Sequence, residues 1–196
     1  KGRIYHICDT CGLIQLDKKM HILKNEEKQR YMLHDNSADN EGYLKYLHKI
    51  IKVSLKPFLE HGDYILDFGC GPEKTWSKIL EGLGYHVSTF DPYFDNNIKW
   101  LKKIFNAITA IEVFEHLASP ANELESLSSS IRRGGYLILR TMLHKENWEI
   151  FNKWWYKEDP THISFYSKTT INYICKRWNF RLIQITDNCE IVLKKL

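Results

Sequence analysis

Short apolar runs, separated by segments with helical spacing, form the main pattern of this chain. Four runs predict strands, and one of them, residues 106–113, is apolar nearly throughout, as central parallel strands are. These runs are YILDF (64–68), HVSTF (86–90), NAITAIEV (106–113) and YLILRT (136–141). Near the end of the chain, RLIQIT and EIVLKK predict a hairpin.

Between the runs, apolar residues recur at three- and four-residue steps and predict helices. Ser119-Pro120 starts one helix and Ser167 caps another, as serine caps and first-turn prolines do. Alternating strands and helices predict an α/β fold with a mainly parallel sheet and helices on both faces. The segment 91–105 is too short for a full helix, strand and turn, so a further strand there would be vestigial.

The residues before the first run predict two smaller units. Residues 1–24 contain a C-x-x-C pair and form the first, and residues 25–60 form a helical cap. The cap is predicted from one apolar face, closed by Pro57 and Gly62. That face is formed by Leu44, Leu47, Ile51 and Leu55. Residues 61–196 form the third and largest unit.

The turn after the first run suggests a cofactor site. Asp67 ends the strand, and Gly69, Cys70 and Gly71 follow it, as in α/β folds that hold a nucleotide-like cofactor at this edge. A carboxylate here would repel a pyrophosphate, which also argues against a dehydrogenase. It would attract a cationic amino-acid end, as in S-adenosylmethionine (SAM). Cys70 is a small residue filling a tight turn, with no histidine near it in sequence.

A second acid and a third motif make the chain resemble a known family. Asp91 follows the second run at the spacing of a residue that binds ribose hydroxyls. The motifs 67–71 (DFGCG), Asp91-Pro92 and 111–117 (IEVFEHL) resemble, in order, those of class I SAM-dependent methyltransferases, over about residues 61–196. The closest resemblance is to the small-molecule branch that includes quinone-biosynthesis methylases. Glu73 departs from the pattern, because many members have glycine there.

This resemblance implies a Rossmann-like, seven-stranded sheet with an antiparallel strand at its edge. It also implies a cofactor site in which Asp67, Gly69 and Gly71 hold the methionyl end of SAM and Asp91 holds the ribose. Tyr93 and Phe94, aromatic residues just beyond a strand end, are candidates for lining the adenine or ribose, although they could equally be ordinary core. Pro92 is also expected to contact the cofactor, and Ile111 would contact it through its backbone. The cap would close over the cofactor with Tyr31 and His34, although the same segment could be an ordinary capped loop. S-adenosylhomocysteine (SAH) would be the product.

Two groups of polar residues are candidates for the chemistry of methyl transfer. Glu112 ends the third run and is predicted to approach the methionyl end or the acceptor. His162 is the candidate general base, with Asp159 orienting it, because an acceptor hydroxyl must lose its proton. A lone histidine is more often structural, so that alternative stays open. In the quinone-methylase branch a similar E-x-x-E-H group would hold a metal. The alternative is that His116 caps a helix and Glu115 faces solvent.

Cys8 and Cys11 resemble one knuckle of a zinc ribbon, in which a turn presents two thiolates to one metal. A structural zinc site needs four ligands, and only two are obvious. The alternative is a pair of reduced thiols on a terminal hairpin.

Composition limits the possible partners and the compartment. The net charge of +4 is scattered, so nucleic-acid binding is not indicated, and no run reaches the length of a membrane span. Five cysteines suggest a reducing compartment, and no signal peptide is visible, so we expect the cytoplasm. The chain begins at Lys1 rather than Met, which suggests a fragment or processed product.

These observations predict a SAM-dependent methyltransferase that acts on a small molecule, as a monomer or homodimer. The alternatives are a SAM-binding module without catalysis and an RNA methyltransferase, which the positive charge and the C-x-x-C pair weakly support.

Overall fold

A computed structural model describes residues 2–33 and 36–196. Its strands are β1 Tyr5–Ile7, β2 Ile14–Leu16, β3 Tyr64–Phe68, β4 His86–Phe90, β5 Phe105–Ile111, β6 Ile131–Arg140, β7 Ser164–Phe165, β8 Phe180–Thr186 and β9 Glu190–Lys195. Its α-helices are α1 Lys24–Met32, α2 Glu41–Ile50, α3 Thr75–Gly82, α4 Pro120–Ser129, α5 Trp148–Asn152 and α6 Lys168–Arg177. A π-helical turn, Ile51–Leu55, extends α2.

The main sheet has the strand order β4-β3-β5-β6-β9-β8. The first four strands are parallel, and β9 is antiparallel to both of its neighbours. The predicted α/β fold is confirmed, with two corrections. In the described residues the sheet has six strands rather than seven, because residues 91–104 form only an isolated bridge and the 3-10 helix Ile98–Lys102. The antiparallel strand β9 lies one place in from the edge rather than at it.

Helices cover both faces of this sheet, as predicted. On one face, α2, the π-helical turn and α3 pack against the sheet in one buried cluster, which includes Leu47, Leu55, Ile65 and Leu80. On the other face, α4 and α6 contribute a second cluster, which includes Leu127, Ile171, Ile108 and Leu139. Ser167 caps α6 through the Thr170 amide, as the sequence predicted. The apolar face of residues 41–55 therefore packs in the core, and the segment also supports the cavity described below.

The amino-terminal residues form a hairpin that pairs with a later part of the chain. Strands β1 and β2 are antiparallel, and β2 pairs with β7 to complete a second, three-stranded sheet. Ile14 packs with Phe151, Tyr156 and Phe165 in a buried cluster of its own. The division of the chain at residues 24 and 60 stays a prediction. No helix in the described part of the chain is both long and apolar enough to cross a membrane.

Candidate functional site

One large cavity opens at the carboxyl edge of β3, β4 and β5 and has a volume of about 1070 Å3. Ligands of open α/β sheets bind at this edge. The cavity brings together most of the predicted site residues, namely Asp67, Gly69, Cys70, Gly71, Asp91, Pro92, Tyr93, Ile111, Glu112, Tyr31, Asp159 and His162. His34 lies outside the described residues.

The glycine loop needs both of its glycines. Gly69 has φ +84° and Gly71 has φ +64°, in the region that favours glycine. A Cβ on Gly69 would also collide with the Val113 side chain, whereas one on Gly71 would meet open space. Burial raises the pKa of the Cys70 thiol to about 12, so Cys70 is not an activated nucleophile. This agrees with a small residue filling the turn.

Asp67 lies under the loop with only 2% of its surface exposed. Ser77 of α3 donates a hydrogen bond to its carboxylate. Burial raises the pKa of Asp67 to about 7, and the nearby Asp91 carboxylate adds to the shift. Asp67 is therefore poised to ionise when a cation enters the cavity.

Asp91 organises the backbone around the end of β4. Its Oδ1 accepts hydrogen bonds from the amides of Tyr93 (2.8 Å) and Phe94 (3.1 Å), and its Oδ2 accepts one from the Gly71 amide (3.1 Å). The carboxylate thus links the glycine loop to the turn that contains Tyr93 and Phe94. It has further acceptor capacity for ligand hydroxyls.

Helix α1 covers the cavity, and two polar contacts hold it there, one from Glu27 to Tyr93 and one from Arg30 to Asp159. Glu27 accepts hydrogen bonds from the hydroxyls of Tyr31 (2.6 Å) and Tyr93 (2.5 Å). Arg30 donates to both oxygens of Asp159, at 3.0 Å from Nε and 2.9 Å from Nη2. No residue of α1 is buried, so these polar contacts rather than core packing position the helix.

Glu112 follows β5 in a left-handed conformation, with φ +54°. Its carboxylate forms an ion pair with Arg140 and accepts hydrogen bonds from Tyr46 (3.0 Å) and Tyr156 (3.2 Å). The Arg140 guanidinium also lies 4.6 Å from the centre of the Tyr46 ring. Glu112 thus stands at the centre of a polar network on the cavity wall.

The predicted contact between Asp159 and the His162 ring is not formed. Burial alone would raise the pKa of Asp159, but the hydrogen bonds from Arg30 and Thr161 outweigh it and hold that pKa well below its usual range. The Nδ1 of His162 lies 2.7 Å from the Tyr156 carbonyl oxygen. Burial, together with nearby His116, lowers the pKa of His162 to about 4, so its ring is neutral near pH 7.

Glu115 and His116 lie next to His162. Glu115 is fully buried and accepts a hydrogen bond from the Tyr156 hydroxyl, so the alternative in which it faces solvent is wrong. Burial raises the pKa of Glu115 to about 7. The His116 Nδ1 lies 3.0 Å from the Thr161 carbonyl oxygen, and its ring centroid lies 4.9 Å from that of His162.

Cys8 and Cys11 flank the turn of the β1–β2 hairpin as free thiols. Hydrogen bonds from Cys11 and Thr10 lower the pKa of Cys8, whereas burial raises the pKa of Cys11. Within residues 2–33 and 36–196, no third histidine, cysteine or carboxylate joins them in a metal-binding group. Zinc binding by this pair stays a prediction.

Several residues of the site were missed in the sequence. Arg140 is the one charged residue of the run YLILRT (136–141), and that contrast was a usable signal. Tyr156 lies in an aromatic-rich stretch, residues 148–167, where nothing in the local pattern separates it from its neighbours. Trp155 is 68% exposed and lines the cavity, whereas Tyr166 is buried in the core.

Comparisons with solved structures confirm the fold. A SAM-dependent methyltransferase from Archaeoglobus fulgidus matches with a TM-score of 0.57 at 15% identity, over 78% of this chain and 94% of that chain. A candidate methyltransferase from Bacillus halodurans C-125 gives 0.55 at 17% identity, over 70% and 67%. Magnesium protoporphyrin IX methyltransferase from Synechocystis PCC 6803, solved with SAH, gives 0.54 at 12% identity, over 88% and 94%.

Comparison with families gives a more specific result. The search of curated proteins gave no match. The methyltransferase domain family matches residues 38–185, which is well over half of the chain and includes every motif of the glycine loop and cavity wall. This match confirms the predicted methyltransferase and supports SAM as its methyl donor. The chain therefore belongs to the methyltransferase domain family and has the Rossmann-like fold of SAM-dependent methyltransferases.

Proposed function

We propose that this chain binds SAM in the cavity and transfers its methyl group to a small-molecule acceptor. The observation that carries the proposal is that a single cavity joins the glycine loop to a wall of aromatic and ionisable residues. A cofactor on the loop would present its methyl group toward that wall. Reactants held in line in this way gain much of the rate of a displacement reaction.

The cofactor's position follows from charge and hydrogen-bonding capacity. Asp67 offers a carboxylate to the ammonium of the methionyl end, next to the open space above Gly71. Asp91 has acceptor capacity left for the ribose hydroxyls. Tyr93 and Phe94, adjacent in the turn after β4, supply flat surfaces for the adenine. Ile111 lines the cavity between the loop and Glu112.

The acceptor occupies the other end of the cavity, among Met142, Trp155, Tyr156 and His162. Aromatic walls with a few polar groups are typical of small-molecule sites. His162 is the proposed general base. Its lowered pKa leaves the ring neutral, and the Tyr156 carbonyl oxygen favours a proton on Nδ1 and a lone pair on Nε2. Asp159 acts at a distance, by holding α1 over the site through Arg30.

We place the enzyme in the cytoplasm, on the strength of five cysteines that are all free in the structure. The finer assignment to a quinone-methylase-like branch rests on the Glu112, Glu115 and His116 motif. We expect a monomer or a homodimer.

Methyl transfer from tritiated SAM tests this proposal against its alternatives. The chain is incubated with a cell extract divided into a low-molecular-mass fraction and an RNA fraction. We expect label in the small-molecule fraction, and much less with the Asp91→Asn variant. Label in RNA would favour an RNA methyltransferase. Binding of SAH without any transfer would favour a module that has lost catalysis.

A further inference from the structure

Three potential ligands meet at the acceptor end of the cavity: Glu115, His116 and His162. One ligand atom from each lies within 4.8 Å of the other two. Glu115 comes from the turn after β5, whereas His162 comes from the loop before β7. Glu112, the first acid of the E-x-x-E-H motif, is instead held by Arg140. The fold therefore selects a different set of ligands from the one that the linear motif implied.

The buried carboxylate of this cluster has an unused oxygen. Glu115 is 0% exposed, and its Oε2 has no hydrogen-bond partner among the residues that the structure describes. Such an atom loses its hydration without compensation, which is costly. A cation held between this oxygen and the two imidazoles would provide that compensation.

Both histidines are oriented as metal ligands commonly are. The Nδ1 of His116 lies 3.0 Å from the Thr161 carbonyl oxygen, and the Nδ1 of His162 lies 2.7 Å from the Tyr156 carbonyl oxygen. With the proton on Nδ1, the lone pair of each ring is on Nε2, and ligating histidines are typically fixed by such contacts. Tyr156 also donates to Glu115 Oε1, so one residue orients two of the three groups.

We propose that Glu115, His116 and His162 form a binding site for a divalent transition-metal ion. Two imidazoles and one carboxylate suit zinc, iron, cobalt or manganese better than magnesium or calcium, which prefer oxygen ligands alone. Three protein ligands leave a position open, as in catalytic rather than structural sites.

The open coordination position is where the acceptor would bind the ion, a role that rests on the proposed function. His116 and His162 line the cavity, so an acceptor oxygen can reach the ion from the space beside the methyl group. A bound cation lowers the pKa of a hydroxyl attached to it. In this arrangement His162 holds the ion instead of acting as a free base, and the acceptor is an alcohol or phenol.

Cobalt absorption on the whole 196-residue chain tests the site without any assay of activity. The protein is first freed of metal by a chelator, and Cys8→Ser with Cys11→Ser removes the thiolates that could bind cobalt elsewhere. We expect one equivalent of Co2+ to give a saturable visible band without thiolate charge transfer. Glu115→Gln and His162→Gln should each weaken binding at least about 10-fold.

The matched control is His61→Gln, which removes an exposed histidine before β3, at the opposite edge of the sheet. It should leave cobalt binding unchanged. Absence of saturable binding, or binding that survives both ligand substitutions, would overturn the proposal and leave His162 as a free base. If the cysteine variant does not fold, electron paramagnetic resonance of Mn2+ with the unaltered chain makes the same comparison. SAH binding, measured on the same samples, reports separately on the cofactor site.

Discussion

Two buried carboxylates, Asp67 and Glu115, define the chemistry at the two ends of the cavity. Burial raises the pKa of each to about 7, so each is close to the point where a nearby cation would ionise it. Asp67 accepts a hydrogen bond from Ser77, and Glu115 accepts one from Tyr156. We assign the first to the ammonium of the cofactor and the second to a metal ion.

The titration of Asp67 gives a prediction for the pH dependence of cofactor binding. The SAH ammonium favours the ionised carboxylate, so it lowers the pKa of Asp67 in the complex. Affinity should therefore rise with pH, by up to about tenfold per unit, until pH reaches the free pKa of about 7, and then level off. Calorimetry from about pH 5.5 to about pH 8 measures this.

Two variants show which group causes the rise of SAH affinity with pH. Asp67→Asn should bind SAH weakly and lose the rise with pH, whereas Glu115→Gln should keep it. A rise that persists in Asp67→Asn would show that another group titrates.

Gly69 gives a prediction about the stability of the fold. Alanine there must adopt φ +84° and places its Cβ against the Val113 side chain, so Gly69→Ala should cost about 1–3 kcal/mol. Gly82→Ala is the control, because nothing lies within 4 Å of a Cβ there and its φ is ordinary. It should be neutral or stabilising by up to about 1 kcal/mol. Urea unfolding measures both, and equal losses would contradict this account.

At the scale of elements, the ends of three strands and one covering helix build the site. β3, β4 and β5 deliver Asp67, Asp91 and Glu112 to one edge of the sheet. Helix α1 has no buried residue. A hydrogen bond to the turn after β4 and an ion pair to the loop before β7 hold it in place. Such a helix is expected to open more readily than the core helices.

The tie between Arg30 and Asp159 should therefore control the opening of α1. Both side chains are partly exposed, at 40% and 22%, so the bidentate pair contributes at most about 1 kcal/mol. Arg30→Ala should speed amide hydrogen exchange in α1 by up to about fivefold and leave α2 unchanged. Arg132→Ala removes an exposed arginine at the start of β6 and should have no effect on α1. Equal exchange in α1 for both variants would mean that the ion pair does not hold the helix.

At the scale of the whole molecule, the amino-terminal hairpin and the acceptor end share one set of packed side chains. β2 pairs with β7, and Ile14 packs against Phe165 and Tyr156. Tyr156 in turn donates to Glu115, so the hairpin supports the residues that orient the candidate metal ligands. We infer that the hairpin unfolds together with the rest of the chain.

Ile14→Ala tests this coupling. Ile14 is 4% exposed, so its truncation should cost about 2–5 kcal/mol and lower the single unfolding midpoint. Ile7→Ala is the matched control in the same hairpin, since Ile7 is 52% exposed and should lose less than about 0.5 kcal/mol. A separate early transition in Ile14→Ala, with the main midpoint unchanged, would show that the hairpin is an independent unit.

The sequence predicted local features well and long-range contacts poorly. The strand runs, the Ser167 cap and the glycine loop follow from patterns within a few residues, and the structure places them as expected. The pairing of Arg30 with Asp159 joins residues 129 positions apart, which no local pattern can indicate. The short segment after Asp91 indicated that a strand could be absent there, and the main sheet has six strands in the part of the chain that the structure describes. The family resemblance had implied seven.

Calorimetric titration of the purified chain with SAH tests the central claim most directly. We predict one saturable site, weakened at least about tenfold by Asp91→Asn, because the variant removes the charge that we propose binds the ribose hydroxyls and that accepts a hydrogen bond from the Gly71 amide. Asp187→Asn is the control: it alters an exposed aspartate paired with Lys49 and should bind SAH like the unaltered chain. Failure of the folded chain to bind SAH, or equal binding by all three proteins, would contradict the assignment of the cavity to this cofactor.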